Sequence, residues 1–111
     1  MGKSITLTDK KSGNVYTLEY SRKAIEVMER QGFVSSEVAD KPATMLPMLF
    51  RGAFIMHHPT ARREALDALY DQIPDKTLLI EKLSEMYSEP LLSLIGDDES
   101  AAGNVEWGAN F

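Results

Sequence analysis

Between Ala43 and His57 the chain carries Met45, Leu46, Met48, Leu49, Phe50, Ala53, Phe54, Ile55 and Met56, so apolar side chains point in nearly every direction around a helix. A helix that is apolar all round has no face to give to water and belongs in the middle of a domain. The rest of the chain must therefore supply elements that wrap it. Pro47 lacks an N–H and fits a helix only near its start, where that donor has no partner to lose. The pattern predicts a helix beginning near Thr44, with Thr44 or Asp40 as its cap, and ended by His58-Pro59.

The wrapping elements can be read on either side. Ser4–Thr8 places Ile5 and Leu7 on one face, and Val15–Tyr20 alternates Tyr16, Leu18 and Tyr20 with Thr17 and Glu19. Between them lies Asp9-Lys10-Lys11-Ser12-Gly13-Asn14, a run of turn residues, so the two segments predict a β-hairpin. A lone hairpin is only marginally stable, and its apolar face must pack on the helices that follow. Ser21 is placed to cap a helix reaching about Gln31, with Gly32 where a left-handed residue closes it. Ala24, Ile25 and Met28 form its buried stripe, and Ser35-Ser36-Glu37 suits a brief helical turn.

Thr60–Ile73 repeats Ala61, Ala65, Leu66, Leu69, Tyr70 and Ile73 at three- and four-residue steps, which predicts an amphipathic helix stopped by Pro74. Asp75 then caps a last helix that buries Leu79, Leu83, Met86 and Tyr87 to about Ser88. Glu89-Pro90 is expected to kink or restart it before Leu91–Ile95. The expected fold is mainly α with a small β element, an α+β domain of residues 1–96 in which the hairpin packs on about four helices.

With 111 residues and 43% hydrophobic content, one domain is the natural reading. A chain of this size buries roughly 65% of its unfolded surface and folds without disulfide or metal. It has no cysteine, which excludes thiolate catalysis, structural disulfides and cysteine zinc sites, and fits a reducing cytoplasm. The N-terminus alternates polar and apolar residues and predicts no signal peptide, and no run is long enough to predict a membrane span. The net charge of −5 is local: Asp97, Asp98, Glu99 and Glu106 leave twelve basic against thirteen acidic residues in the body. Residues 97–111 are acidic and aperiodic and are expected to form a disordered tail.

No constellation points to catalysis. His57-His58 are adjacent, about 100° apart on a helix, and cannot grip one ion together; further ligand spacing is missing, so no metal is expected. They suit a helix C-terminus, where imidazoles meet the last carbonyls. The glycines make no phosphate loop, there is no G-x-S-x-G elbow, and the carboxylate pairs Glu26/Glu29 and Glu81/Glu85 lie on solvated helix faces. The chain reads as non-enzymatic, without a cofactor.

Two binding readings stay open. Helices 44–57 and 60–73 could form a helix-turn-helix DNA-binding regulator with Arg62 and Arg63 on its recognition helix. Glu64, Asp67 and Asp71 share that helix and repel phosphate, so two packed antiparallel helices are the stronger reading, and no nucleic-acid partner is expected. Methionine suits adaptable binding surfaces as well as cores. Met45, Met48 and Met56, clustered on the all-apolar helix, become a protein-binding surface if one side of it is left uncovered, and the same surface would serve self-association. In the tail, Trp107 (the only tryptophan) and Phe111 are large apolar groups in a segment that cannot fold alone. They read either as a docking motif or as a flap over the domain itself.

Three stretches carry a family resemblance: Tyr16–Phe33 (YTLEYSRKAIEVMERQGF), Asp40–Phe54 (DKPATMLPMLFRGAF) and Leu83–Leu91 (LSEMYSEPL), followed by Gly103–Trp107 (GNVEW). Together they resemble the tail assembly chaperones of long-tailed, siphovirus-type bacteriophages of Gram-positive bacteria. The resemblance spans nearly the whole chain and consists of packing and helix-end patterns. It implies a protein of the infected host's cytoplasm that binds the phage tape measure protein and keeps it soluble while the tail tube polymerises. It also implies a longer form, made by ribosomal frameshifting, that recruits the tail tube protein. Ala109-Asn110-Phe111 can be encoded as GCA-AAU-UUU, which contains a slippery heptamer of the kind such a frameshift needs.

Overall fold

The structure, a computed structural model, describes residues 3–95, with side chains through Leu92, together with Gly108 and Ala109. Two strands, β1 (Ile5–Thr8) and β2 (Val15–Leu18), precede four helices: α1 (Arg22–Arg30), α2 (Pro42–Gly52), α3 (Arg63–Asp71) and α4 (Lys76–Ile95). A short 3-10 turn, Ser35–Glu37, lies between α1 and α2. This is the expected α+β architecture.

The strands pair antiparallel in the register Ile5↔Leu18, Thr6↔Thr17, Leu7↔Tyr16 and Thr8↔Val15. Their connection is built by Asp9, whose carboxylate accepts from the Lys11 N–H at 3.0 Å and from Ser12 Oγ at 3.0 Å. Gly13, at φ 78°, lets the chain return so that the Asp9 N–H donates to the Asn14 carbonyl at 2.8 Å. At α1 the Ser21 Oγ accepts from the Ala24 N–H at 3.0 Å. Gly32, at φ 102°, ends α1 in a Schellman closure, with the Phe33 N–H donating to the Met28 carbonyl at 2.9 Å. Asp75 caps α4 through the Leu78 N–H at 3.1 Å.

The apolar segment sits at the centre as its composition requires. Leu49, Phe50, Ala53 and Phe54 are at most 3% exposed, and they share one hydrophobic cluster with Leu18, Ile25, Met28, Leu66, Leu83 and Met86. Among the described residues every buried side chain is one of the hydrophobic set. The hydroxyl of buried Tyr20 donates to the Leu49 carbonyl, so this core phenol is satisfied. Gly52 lets α2 approach α1 closely: a Cβ there would collide with Met28 Sδ and Cε.

Several boundaries differ from expectation. The central helix runs over Pro42–Gly52 rather than 44–57, with Pro42 in its first turn and Pro47 inside it. Pro47 forfeits the bond to the Ala43 carbonyl, at a point where the helix is still exposed. Neither Thr44 nor Asp40 caps the helix; Lys41 occupies that position without a side-chain bond. From Ala53 to His57 the chain makes successive turns, so His57 and His58 do not close a helix. The third helix begins at Arg63, not Thr60, because Pro59 starts a turn closed by Ala61 N–H to the His58 carbonyl at 3.1 Å. Ala65 is exposed rather than on the buried face. The last helix passes through Pro90 as one element to Ile95. Trp107, Phe111 and the acidic run from Asp97 lie outside the described residues.

Candidate protein-binding site

Because α2 stops at Gly52 while its apolar sequence continues, Phe54 and Ile55 turn away from the helix axis and form one wall of a cleft. The cleft, about 630 Å³, lies between α2, the turn segment and α3. Its apolar lining is Met48, Phe54, Ile55, Pro59, Ala61 and Leu66; its polar rim is Gln31, Thr44, Arg51, His58 and Arg63. Met56, next along the chain, is 45% exposed and stands outside the core.

The rim cations are partly neutralised. Arg51 Nη1 meets Asp67 Oδ1 at 2.8 Å with only 19% of its side chain exposed, which bridges α2 to α3. Arg63 Nε approaches the other Asp67 oxygen at 3.8 Å from a largely exposed position. A half-buried arginine paired in this way orients the cleft wall more than it attracts an anion.

The histidines fasten the cleft wall to the hairpin. His58 Nε2 accepts the Thr17 N–H at 3.0 Å, which requires that nitrogen to be unprotonated. His57 Nε2 lies 2.9 Å from Glu19 Oε1, and the Glu19 N–H donates to the Ala53 carbonyl at 2.9 Å. The outer edge of β2 is thereby covered by residues 53–58. The His58 ring also meets Tyr16 edge-on at 5.2 Å.

Of the methionines singled out in the sequence, Met48 lines the cleft and Met56 is exposed, but Met45 is 4% exposed in the core. Met45 therefore drops out as a contact residue: α2 presents it inward, toward the hydrophobic cluster that contains Leu49 and Phe50. Ile55, Arg51 and His58 were not anticipated as cleft residues. Their role depends on the helix ending at Gly52, and an uninterrupted apolar pattern hides that stop. Among the described residues no group of three or more His, Asp or Glu is placed to hold a metal, and no helix is long and apolar enough to cross a membrane.

No curated protein and no solved structure matches the chain. A family model covers all of it, from residue 1 to residue 111. The chain belongs to the DUF5055 family, a domain family of unknown function.

Proposed function

We propose that this protein is a non-enzymatic assembly chaperone for a phage tail, holding the tape measure protein in the cytoplasm of the infected host. The observation that carries the reading is the open apolar cleft with Met48 and Ile55 in its wall and Met56 exposed beside it. A long helical client with apolar stripes is held by laying such a stripe into a groove, and thioethers adapt to successive stripes of different shape. The family resemblance of Tyr16–Phe33 and Asp40–Phe54 supports the same reading. A longer frameshifted form, which would bring in the tail tube protein, belongs to this proposal.

The rival reading, a helix-turn-helix regulator, is less well supported. Residues 53–62 separate α2 from α3, whereas that motif uses a turn of three or four residues. Arg63 also faces Asp67 on the helix that would have to meet phosphate.

Co-expression with the tape measure protein encoded by the same phage tests the proposal. The wild-type chain should co-purify with it and keep it soluble. Met48→Glu combined with Met56→Glu should lower that recovery about tenfold while the circular dichroism spectrum is retained, as loss of central contacts does. Equal recovery with the variant, or no recovery with the wild type, would overturn the proposal.

A further inference from the structure

Two cavities lie along the seam between α2 and α3, and they adjoin. The cleft of about 630 Å³ and a smaller cavity of about 300 Å³ share Thr44, Arg51 and Arg63 in their walls. On α2 the lining residues Thr44, Pro47, Met48 and Arg51 recur at three- and four-residue steps, and on α3 Arg63, Leu66, Asp67 and Tyr70 do the same. One face of each helix therefore lines a single groove.

The groove is uneven in charge. The walls of the larger cavity carry Arg51, Arg63 and His58 and no carboxylate, whereas the smaller one adds Asp67 and Asp71. Several of these groups are already committed. Arg51 is held by Asp67 at 2.8 Å, and His58 Nε2 accepts the Thr17 N–H, which leaves that ring uncharged. Arg63 reaches only the second oxygen of the same Asp67 carboxylate, at 3.8 Å, with 73% of its side chain exposed. Asp71 forms no ion pair among the described residues, since Lys76 Nζ donates to the Asp71 and Ile73 backbone carbonyls instead. One weakly paired cation and one unpaired carboxylate are left, separated by about 12 Å of helix rise along α3.

We infer that this groove takes an amphipathic helix whose apolar stripe is bracketed by a carboxylate, set against Arg63, and a cation about two turns away, set against Asp71. The walls are side chains on helices whose backbone bonds are internal, so they offer no ladder to an extended segment. Such a segment would lay unpaired N–H and C=O groups on Met48, Phe54 and Ile55. A helix satisfies its own backbone and presents apolar anchors at i, i+3, i+4 and i+7. Two turns of it rise about 11 Å, which matches the spacing of Arg63 and Asp71. Exposed charges at the rim of an interface select a partner more than they strengthen its binding. Given that the cleft is the client's docking site, on which this rests, the two charges pick out which stretch of a long helical client is gripped.

Three synthetic helical peptides of about 18 residues test the charge pattern. They share one leucine stripe and differ only at two flanking positions about two turns apart, which carry Glu with Lys, Glu with Glu, or Lys with Lys. In fluorescence polarisation at low salt, the wild-type chain should bind the mixed peptide about fivefold more tightly than either like-charged one, and added salt should shrink the margin. Arg63→Glu should make the Lys–Lys peptide the tightest, and Asp71→Lys the Glu–Glu peptide. Both positions are exposed, so the circular dichroism spectrum should be retained. Equal binding of the three peptides, or a ranking that either variant leaves unchanged, overturns the inference but spares the cleft as a docking site if Met48→Glu still abolishes binding. No binding by any peptide, or binding indifferent to Met48→Glu, removes the cleft as a helix site and the inference with it. A wild-type mass that doubles with concentration, and does not in Met48→Glu, makes a second copy the occupant and overturns it as well.

Discussion

The Thr17 N–H donates to His58 Nε2 at 3.0 Å, so an imidazole from the turn segment occupies the place of a third strand's carbonyl on the edge of β2. Replacing His58 with Phe keeps an aromatic ring against Tyr16 and Phe54 but removes the acceptor. A part-buried N–H left without a partner costs about 1–3 kcal/mol. His58→Phe should lower the urea midpoint accordingly and speed exchange at the Thr17 amide. A midpoint equal to wild type would show that water replaces the ring nitrogen without loss.

Leu49 sits on the buried side of α2, 3% exposed, between α1 and the other helices. Leu49→Ala should cost about 2–5 kcal/mol, the usual range for truncating a core leucine. Exposed Leu78, at 49%, provides the contrast: Leu78→Ala should fall within about 0.5 kcal/mol of wild type in the same denaturation experiment.

Gly52 and Met28 are matched in shape. A Cβ at position 52 overlaps Met28 Sδ, Cγ and Cε, and Met28 is 1% exposed with little room to withdraw. Gly52→Ala should destabilise by about 1–3 kcal/mol through overpacking. Shortening the opposing side chain in Gly52→Ala/Met28→Val should recover part of that loss, so the two substitutions are non-additive. Strict additivity in the double-mutant cycle would sink the assignment.

Burial raises the Tyr20 pKa well above the ordinary tyrosine value, with a smaller contribution from the charge of Tyr87. The Tyr70 and Tyr87 pKa values are raised as well, chiefly by burial. A raised pKa means that the fold favours the neutral phenol. Stability from these groups is complete below the unfolded value of about pH 10 and is lost as pH climbs through that point toward the folded values. Urea midpoints measured from neutral to alkaline pH should therefore fall above about pH 10. Tyr20→Phe should be less stable at neutral pH by about 1 kcal/mol, for the lost bond to Leu49, yet lose less on going alkaline.

The elements most legible in the sequence were those fixed by local chemistry. Asp9 and Gly13 define the hairpin turn, Ser21 and Gly32 delimit α1, and Asp75 starts α4, each through a bond between near neighbours. The ends of α2 were not legible, because the helix gives way to turns after Gly52 while the apolar pattern runs on to Met56 without a break. Pro47 misled for a related reason, and at Pro90 the helix does not restart. A proline sacrifices one helix bond, and tertiary packing around the rest of the helix can offset that loss. The cleft was half visible: the methionine cluster marked α2, but separating Met45 from Met48 and Met56 requires knowing which side of α2 its neighbours cover and that the helix ends before Met56.

Residues 53–58 belong to two surfaces at once, since Phe54 and Ile55 wall the cleft while Ala53, His57 and His58 grip β2. Such sharing has a thermodynamic corollary. An occupant of the cleft that changes the free energy of detaching the hairpin must have its own affinity changed by hairpin detachment, by the same factor. Hydrogen exchange at Thr17 and Glu19, distant in sequence from the cleft lining on α2 and α3, would thus serve as a thermometer of cleft occupancy, and substitutions along the hairpin edge would retune a client's grip without touching it.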